Sequence, residues 1–265
     1  MNSPIDAPTV VLYHRDLGGQ GEPPMVLLHG MLGSSRNWQT AGKALASARR
    51  VYALDLRNHG LSPHADTMSY SSMAADVLAW MDSHGIGAAE FVGHSMGGKV
   101  AMLMACRHAA RIARLVVVDT APRDYRWPER AGEFAAMNGL ELKGLHSRGE
   151  AESRFEADVP DWSMRKFLTT NLERTPGGGW KWLINLPAIT AALSELERNP
   201  LSAGDRYEGP SLFIAGGKSR YIRDDDTALI TSHFPLARVV TLPESGHNPH
   251  IEVRDEFVSA VLADA

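Results

Sequence analysis

Short, uninterrupted apolar runs that alternate with helix-like segments constrain the fold of this 265-residue chain most strongly. The four clearest runs are MVLLHG, RVYALDLRNHG, AEFVGHS and ARLVVVDTAP, at residues 25–30, 50–60, 89–95 and 113–122. Such runs are typical of strands that are buried on both faces of a parallel sheet. Residues 9–13 look like a further strand, and residues 69–86 place apolar side chains at helical spacing behind a candidate N-cap, Ser69. The alternation predicts a doubly wound α/β sheet.

The strand pattern stops after Pro122 and resumes with PSLFIAGG and ARVVTLPESGH, which indicates an insertion. The intervening residues read as helices and loops without a convincing strand, and the three glycines at residues 177–179 predict a flexible turn there. We therefore predict an α/β core formed by residues 1–122 and 206–265, and a helical cap formed by residues 123–205.

Composition narrows the class of protein. The formal net charge of -4 gives no reason to expect a nucleic acid or an anionic membrane as partner. Cys106 is the single cysteine, which excludes an internal disulfide and suits a reducing compartment. No segment approaches the roughly 20 apolar residues that a membrane span requires, and the N-terminus lacks the basic start and long apolar stretch of a secretion signal. These features predict a soluble, cytoplasmic protein.

Gly93-His94-Ser95-Met96-Gly97 stands where an apolar run gives way to a helix-like segment. These residues fit G-x-S-x-G, the nucleophile elbow. Glycines on either side let the strand and the helix approach closely, and Ser95 would lie at the helix N-terminus, where N–H groups and the helix dipole favour negative charge. A glycine-rich turn with an incidental serine is the alternative. The position of the motif favours a nucleophilic Ser95.

A serine hydroxyl needs a base to remove its proton, and the chain offers 11 histidines for this role. His247 is the strongest candidate, because it follows the last predicted strand on a loop and is preceded by glycine. His250 is the near competitor, although it is expected at the start of the last helix. His94 is expected to point into the structure, and His29 is interpreted as mainly structural.

A nucleophilic serine also needs an oxyanion hole, in which each preorganised N–H donor is commonly worth about 3–4 kcal/mol. The N–H of Met96, directly after the serine, is one predicted donor. The N–H of Met31 is the other, because it follows an early strand in LLHGMLGS. Only the backbone acts here, so the two methionine side chains are expected to line the floor of the pocket.

HGMLGS, DLRNHGLS, VGHSMGG and GHNPHIE occur in the order and spacing of the α/β-hydrolase superfamily, which the sequence resembles over nearly its whole length. GHSMGGK, WKWLINL and FIAGGKSRYI look like one branch, the small esterases and acyl thioesterases related to the abhydrolase-domain-11 proteins. The resemblance implies the α/β-hydrolase fold, with a mostly parallel eight-stranded sheet flanked by helices and a helical cap over a serine hydrolase site.

The acid of a Ser-His-Asp triad is where the sequence departs from the superfamily, most of whose members carry an aspartate in the loop after the penultimate strand. Here that loop reads AGGKSRYI, and Ser219 occupies the expected place. The branch that the sequence resembles uses the position of Asp119, at the end of LVVVDTAP, and Asp119 is the preferred acid. The acidic run at residues 224–226 is one alternative, although it more simply begins a helix. A site without an essential acid is the other.

These residues predict a serine hydrolase that cleaves carboxylic esters or thioesters of short or medium acyl chains, with acyl-CoA among the candidate substrates. A cofactor-free C–C bond hydrolase or a perhydrolase with the same triad is the alternative, and a hydrolase-like fold that only binds a ligand is a third hypothesis. No metal or other cofactor is expected, because the chain has neither a histidine pair at helical spacing with a carboxylate nor a cysteine cluster. The expected partner is a small-molecule ester or thioester, and the expected state is a monomer or homodimer. The candidate pocket residues are His29, Met31, His94, Trp162 and Trp182.

Overall fold

The strands form a seven-stranded, mostly parallel sheet and a separate two-stranded sheet in the computed structural model, which describes residues 8–127 and 130–263. The strands are β1 (His14–Gly18), β2 (Met25–Leu28), β3 (Val51–Leu54), β4 (Ala89–His94), β5 (Ile112–Val118), β6 (Leu172–Arg174), β7 (Trp180–Trp182), β8 (Ser211–Gly216) and β9 (Ala237–Leu242). The order in the large sheet is β1-β3-β2-β4-β5-β8-β9, and β1 alone runs antiparallel to its neighbour. This arrangement confirms the predicted α/β class.

Side chains along each strand point alternately into two hydrophobic layers. Val26 and Leu28 of β2 pack into one layer, whereas Met25 and Leu27 pack into the other. The helices that flank the sheet are α1 (Gln39–Leu45), α2 (Tyr70–Ser83), α3 (Met96–Arg107), α8 (Asp226–His233), α9 (Pro249–Glu252) and α10 (Arg254–Leu262). Helices α2, α3 and α8 cover the first layer, and α1 and α10 cover the second. The parallel strands are therefore shielded from water on both faces.

The number of eight strands that the resemblance implied is wrong for the described residues, which place seven in the large sheet. Residues 9–13, predicted as a strand, precede β1 without forming one. The backbone N–H of Val10 donates to Asp76 Oδ1 and that of Tyr13 donates to Ser62 Oγ, each at 2.8 Å. Because side chains satisfy these two donors, this stretch does not need a partner strand.

The segment between β5 and β8 is mainly helical and also contains the two-stranded sheet. Its helices are α4 (Arg130–Gly139), α5 (Arg148–Arg154), α6 (Trp162–Thr169) and α7 (Leu186–Leu196). The expectation that this segment lacks strands is wrong, because β6 and β7 pair antiparallel on either side of the glycines at residues 177–179. Gly178 has a φ of +82°, a conformation that glycine adopts without strain.

Buried polar contacts attach this inserted segment to the large sheet and its helices. Lys99 of α3 is 1% exposed, and its Nζ donates to the carbonyl oxygens of Glu197 (3.3 Å) and Arg198 (2.7 Å), directly after α7. Asn171 Nδ2 donates to the carbonyl oxygen of Leu32, in the loop after β2, at 2.9 Å. The division into a core and a cap at the predicted boundaries stays a prediction.

Candidate active site

A sharp turn between β4 and α3 carries Ser95. Its φ of 50° and ψ of -113° lie outside the regions that residues with side chains ordinarily adopt. A Cβ on Gly93 would lie 2.4 Å from the carbonyl oxygen of Gly97, and a Cβ on Gly97 would lie 2.5 Å from that of Leu28. Glycine is therefore required at both positions, and the crowded backbone holds Ser95 where the strand becomes a helix.

His247 and Asp119 form a direct hydrogen bond, with 2.7 Å between Nδ1 of the imidazole and Oδ2 of the carboxylate. His247 lies in the loop after β9, and Asp119 follows β5 with a φ of 49°. An ionised carboxylate only accepts hydrogen bonds, so the contact assigns the proton to Nδ1 and leaves Nε2 as an acceptor. Nε2 is buried and has no hydrogen-bond partner among the residues that the structure describes. This ring is therefore arranged to accept a proton at Nε2.

The Asp119 carboxylate is completely buried and is held by several donors. Its Oδ1 accepts the backbone N–H of Gly216 at 3.0 Å, and its Oδ2 accepts the hydroxyl of Ser219 at 2.5 Å in addition to the imidazole of His247. Hydrogen bonds to the charged form of a buried carboxylate compensate for its loss of hydration. The negative charge beside His247 is therefore fixed in place by the sheet and by the loop after β8.

Ser219 and Tyr221 are two contributors to the site that sequence reasoning missed. The sequence identifies Ser219 only as the residue in place of the usual acid. In the structure, the Ser219 hydroxyl donates a hydrogen bond to Asp119 Oδ2. The N–H of Tyr221 donates to Ser219 Oγ at 3.1 Å, and its ring stacks on the imidazole of His247 with centroids 3.8 Å apart and planes at 18°. The only signal in the sequence is that both residues lie in AGGKSRYI, the loop where an acid was sought.

The acidic run at residues 224–226, the alternative source of the acid, includes Asp226, which forms contacts away from His247. Asp226 begins α8 and forms an ion pair with Arg123, with Oδ1 and Nε 3.1 Å apart. Its Oδ2 also accepts the backbone N–H of Arg223 at 2.9 Å. In the described residues, the carboxylate bonded to His247 is that of Asp119.

The other histidines near the turn have structural contacts. His94 Nε2 lies 2.7 Å from the carbonyl oxygen of His247 and thereby links the elbow to the loop after β9. His250 packs against Trp38 with ring centroids 4.2 Å apart and planes tilted by 30°, and burial lowers the pKa of His250 to about 3. His29 accepts the N–H of Leu56 at Nε2, and burial also lowers its pKa. His29 and His250 therefore stay neutral near pH 7.

A cavity of about 500 Å³ opens beside Ser95 and His247. Its lining residues come from the loop after β2, the elbow, the start and body of α6, the loop before α9 and α9 itself: Gly30, Met31, Gly33, Asn37, His94, Ser95, Asp161, Ser163, Met164, Phe167, His247, Asn248, His250, Ile251 and Glu252. The inserted segment thus forms one wall through α6. The cavity has the size and mixed character typical of a small-molecule site.

Two of the five candidate pocket residues, Met31 and His94, line this cavity, whereas His29, Trp162 and Trp182 do not. His29 is turned inward by its hydrogen bond to the backbone of Leu56. Trp162 is 60% exposed, because the face of α6 that meets the cavity carries Met164 and Phe167. Trp182 packs against both the first hydrophobic layer and the small hydrophobic cluster around Leu172.

Both predicted oxyanion donors lie at the same edge of the sheet. Met31 follows β2, Met96 is the first residue of α3 after β4, and these two strands are neighbours in the sheet. The first N–H groups of a helix have no acceptor within the helix, so the N–H of Met96 is available to an external oxygen. Met31 lines the cavity, whereas Met96 does not and has its side chain buried in the first hydrophobic layer. The expectation that both methionine side chains line the floor of the pocket therefore holds for Met31 alone.

Residues 8–127 and 130–263 contain neither a cluster of metal-binding side chains nor a membrane-spanning helix. That part of the chain contains no group of three or more His, Cys, Asp or Glu side chains placed to hold a metal ion. None of the helices described there has the length and apolar character needed to cross a membrane.

Residues 23–253 match the sequence profile of the family described as alpha/beta hydrolase fold. The chain belongs to the α/β-hydrolase family. This membership confirms the resemblance that the sequence motifs indicated, and it agrees with the parallel sheet and the turn at Ser95. Sequence and structure therefore lead to the same family.

Relatives within the α/β-hydrolase family include proteins described as lipases and esterases. The sn-1-specific diacylglycerol lipase ABHD11 of Mus musculus is 37% identical over 91% of this chain and 80% of the relative. The esterase YbfF of Escherichia coli is 32% identical over 90% of this chain and 91% of the relative. A solved structure described as a marine microorganism esterase superposes with a TM-score of 0.92 and 33% identity, covering 96% of this chain and 99% of that one. These relatives support an ester hydrolase.

Proposed function

We propose that the protein is a serine carboxylesterase in which Ser95, His247 and Asp119 form the catalytic triad. The observation that carries this proposal is the bond of 2.7 Å between His247 Nδ1 and Asp119 Oδ2, which leaves a buried Nε2 without a partner in the described chain. Together with the strained turn at Ser95, this bond supplies the base and the orienting acid that a serine nucleophile needs.

The proposed reaction has two halves. In the first, His247 Nε2 takes the proton of the Ser95 hydroxyl while Ser95 Oγ attacks the ester carbonyl. The imidazolium of His247 then protonates the departing alcohol. In the second, His247 removes a proton from water, the resulting hydroxide attacks the acyl-enzyme, and the carboxylic acid leaves as Ser95 regains its proton. Asp119 stabilises the imidazolium in both halves and fixes the ring orientation.

Backbone N–H groups stabilise the negative oxygen that forms in each half. The proposed donors are the N–H groups of Met31 and Met96, on the loop after β2 and at the start of α3. The helix dipole of α3 adds to this stabilisation, because its positive end faces the developing charge.

The proposed substrates are esters with short or medium acyl chains. Met31, Met164, Phe167 and Ile251 give the cavity an apolar part, and its volume of about 500 Å³ limits the size of the group that it encloses. Residues 123–205 are proposed to act as a cap, since α6 supplies one wall of the cavity. Thioesters, acyl-CoA among them, share the same carbonyl chemistry and are tested alongside oxygen esters.

Hydrolysis of p-nitrophenyl esters from acetate to palmitate tests this function, with Ser95→Ala as the control. We expect activity that peaks at short or medium chains and is lost in the variant, and acyl-CoA thioesters are assayed in parallel. A fluorophosphonate probe should label the wild-type protein and not Ser95→Ala. Equal activity of the two proteins, or a probe that fails to label folded wild-type protein, would show the assignment of the nucleophile to be wrong.

Cytoplasmic location and the monomeric or homodimeric state stay predictions.

A further inference from the structure

A second pocket adjoins the candidate active site, where the inserted segment meets the loop after β2. It has a volume of about 220 Å³ and shares Gly33 and Asn37 with the larger cavity. Three arginines line it: Arg15 of β1, Arg36 of the short helical turn after β2, and Arg148 of α5. This arginine pocket therefore lies next to the cavity beside the nucleophile, with Gly33 and Asn37 between them.

None of these three guanidinium groups forms an ion pair with a carboxylate in residues 8–127 or 130–263. Arg15 Nε donates to Ser35 Oγ at 3.1 Å. Arg148 donates through Nε and Nη2 to the carbonyl oxygen of Leu172, at 3.2 and 2.6 Å. The Arg36 guanidinium has no hydrogen-bond partner in the same part of the chain. Each arginine therefore has N–H groups left to donate to a ligand.

The carboxylate of Asp55 also lines this pocket, but it forms no ion pair with the three arginines. Asp55 is 2% exposed, and its Oδ1 accepts the N–H of Ser35 at 2.6 Å while its Oδ2 accepts the N–H of Leu61 at 2.8 Å. Both of its oxygens are thus occupied by backbone donors, and three guanidinium groups against one carboxylate leave the lining side chains with an excess of positive charge. Three positive side chains around one small pocket repel each other, and an anion is the ligand that relieves this repulsion.

We propose that the arginine pocket binds an anionic group of the ester substrate, a phosphate or a carboxylate, at a distance from the scissile carbonyl. The proposal rests on the esterase function proposed above. The planar fork of a guanidinium pairs with two oxygens of either group at once, which suits Arg36 in particular. Esters that carry a negative charge on the acyl chain or on the alcohol are therefore the preferred substrate class.

Two matched substrate pairs test the proposal and distinguish the two sides of the ester. The first is p-nitrophenyl hexanoate against mono-p-nitrophenyl adipate, which differ in a terminal carboxylate on the acyl chain. The second is monobutyrin against butyryl glycerol phosphate, which differ in a phosphate on the alcohol. We expect kcat/KM to be about tenfold or more higher for the charged member of one pair, as is typical of hydrogen bonds between charged groups. The pair that responds identifies which side of the ester carries the anion.

The double substitution Arg36→Gln and Arg148→Gln should bring that ratio close to one, mainly through KM, while the neutral esters keep their kcat/KM. The matched control is Arg206→Gln, which removes one positive charge from an exposed arginine paired with Glu208 and should leave the ratio unchanged. A ratio near one for both pairs in the wild-type protein overturns the proposal, as does a ratio that survives the double substitution.

A measurement that needs no turnover separates this proposal from the proposed function. Inorganic phosphate should raise the Tm of Ser95→Ala at constant ionic strength, and the increase should disappear when Arg36→Gln and Arg148→Gln are added. If the wild-type protein hydrolyses neither the neutral nor the charged esters, the proposed function is wrong and this Tm series alone decides the pocket. A Tm that does not respond to phosphate then overturns the anion site as well.

Discussion

Asp119 is the residue on which the proposed chemistry depends most directly, because its Oδ2 orients His247. We predict that Asp119→Asn lowers kcat by about four orders of magnitude, as expected when an amide replaces the carboxylate of a triad and no longer stabilises the imidazolium or its tautomer. Hydrolysis of a p-nitrophenyl ester by the purified variant measures this loss, and circular dichroism checks that the variant is folded.

Asp225→Asn is the matched control for that prediction. It removes the same charge from the N-cap position of α8, where no side-chain capping bond is formed. Its kcat should stay close to that of the wild-type protein. A large loss in Asp225→Asn together with a small loss in Asp119→Asn would move the acid to the run at residues 224–226.

Ser219 is predicted to act through Asp119 and not on the substrate. Ser219→Ala removes the hydroxyl that donates to Asp119 Oδ2 at 2.5 Å, and we expect kcat to fall about tenfold, in keeping with one hydrogen bond to a charged group. KM should stay nearly unchanged, and Ser219→Thr should restore most of the activity because it keeps the hydroxyl. A loss seen in KM alone would contradict a positioning role.

The sequence identified Ser95 and His247 from local patterns, but the partners of Asp119 depend on which strands are neighbours. Ser219 reaches Asp119 because β8 lies next to β5, so the loops after these two strands meet at one edge of the sheet. No local pattern specifies that pairing. The stacking of Tyr221 on His247 depends on the same neighbourhood together with β9.

At the scale of elements, the long buried strands were predictable and the short ones were not. A strand such as β4 is buried along its whole length and reads as an apolar run. The strands β6 and β7 have three residues each and are only partly buried, so they lack a periodicity that could be recognised. The strand predicted at residues 9–13 is wrong for another reason. Side chains accept the hydrogen bonds of the backbone N–H groups of Val10 and Tyr13, so these groups do not need a partner strand.

The contact between α3 and the end of α7 depends on a buried charge, that of Lys99. Burial lowers the pKa of its amine to about 7. The Nζ atom lies 4.8 Å from the ring centroid of Tyr125 and 5.5 Å from that of Tyr70. The unfolded chain keeps this proton up to the ordinary lysine pKa of 10.5, so between these two pH values the unfolded state binds more protons than the folded state. The free energy of unfolding should therefore rise with pH across this interval through Lys99.

Lys99→Met is predicted to remove this pH dependence. The free energy of unfolding of the wild-type protein, measured relative to that of Lys99→Met by urea denaturation, should increase by about 1.4 kcal/mol per pH unit as the pH rises above 7. A constant difference between the two proteins would mean that Lys99 keeps its charge throughout, held by the carbonyl oxygens of Glu197 and Arg198.

At the scale of the whole molecule, buried neutral histidines should make the fold sensitive to acid. Burial lowers the pKa of His59 and of His250 to about 3, compared with the ordinary histidine value of 6.5. Below pH 6.5 the unfolded chain binds a proton at each of these side chains and the folded protein does not. The free energy of unfolding should therefore fall as the pH falls, by about 1.4 kcal/mol per pH unit for each histidine.

His59→Gln tests this prediction in the interval from pH 6.5 to about 5, above the range in which most carboxylates titrate. His59 donates from Nδ1 to the carbonyl oxygen of Arg57 and accepts the N–H of Leu32, so the variant loses stability at every pH. Its free energy of unfolding should nevertheless fall less steeply with acid, by one proton, than that of the wild-type protein. An unchanged slope in His59→Gln would mean that His59 is protonated in the folded state, and the acid sensitivity would then have to come from other groups.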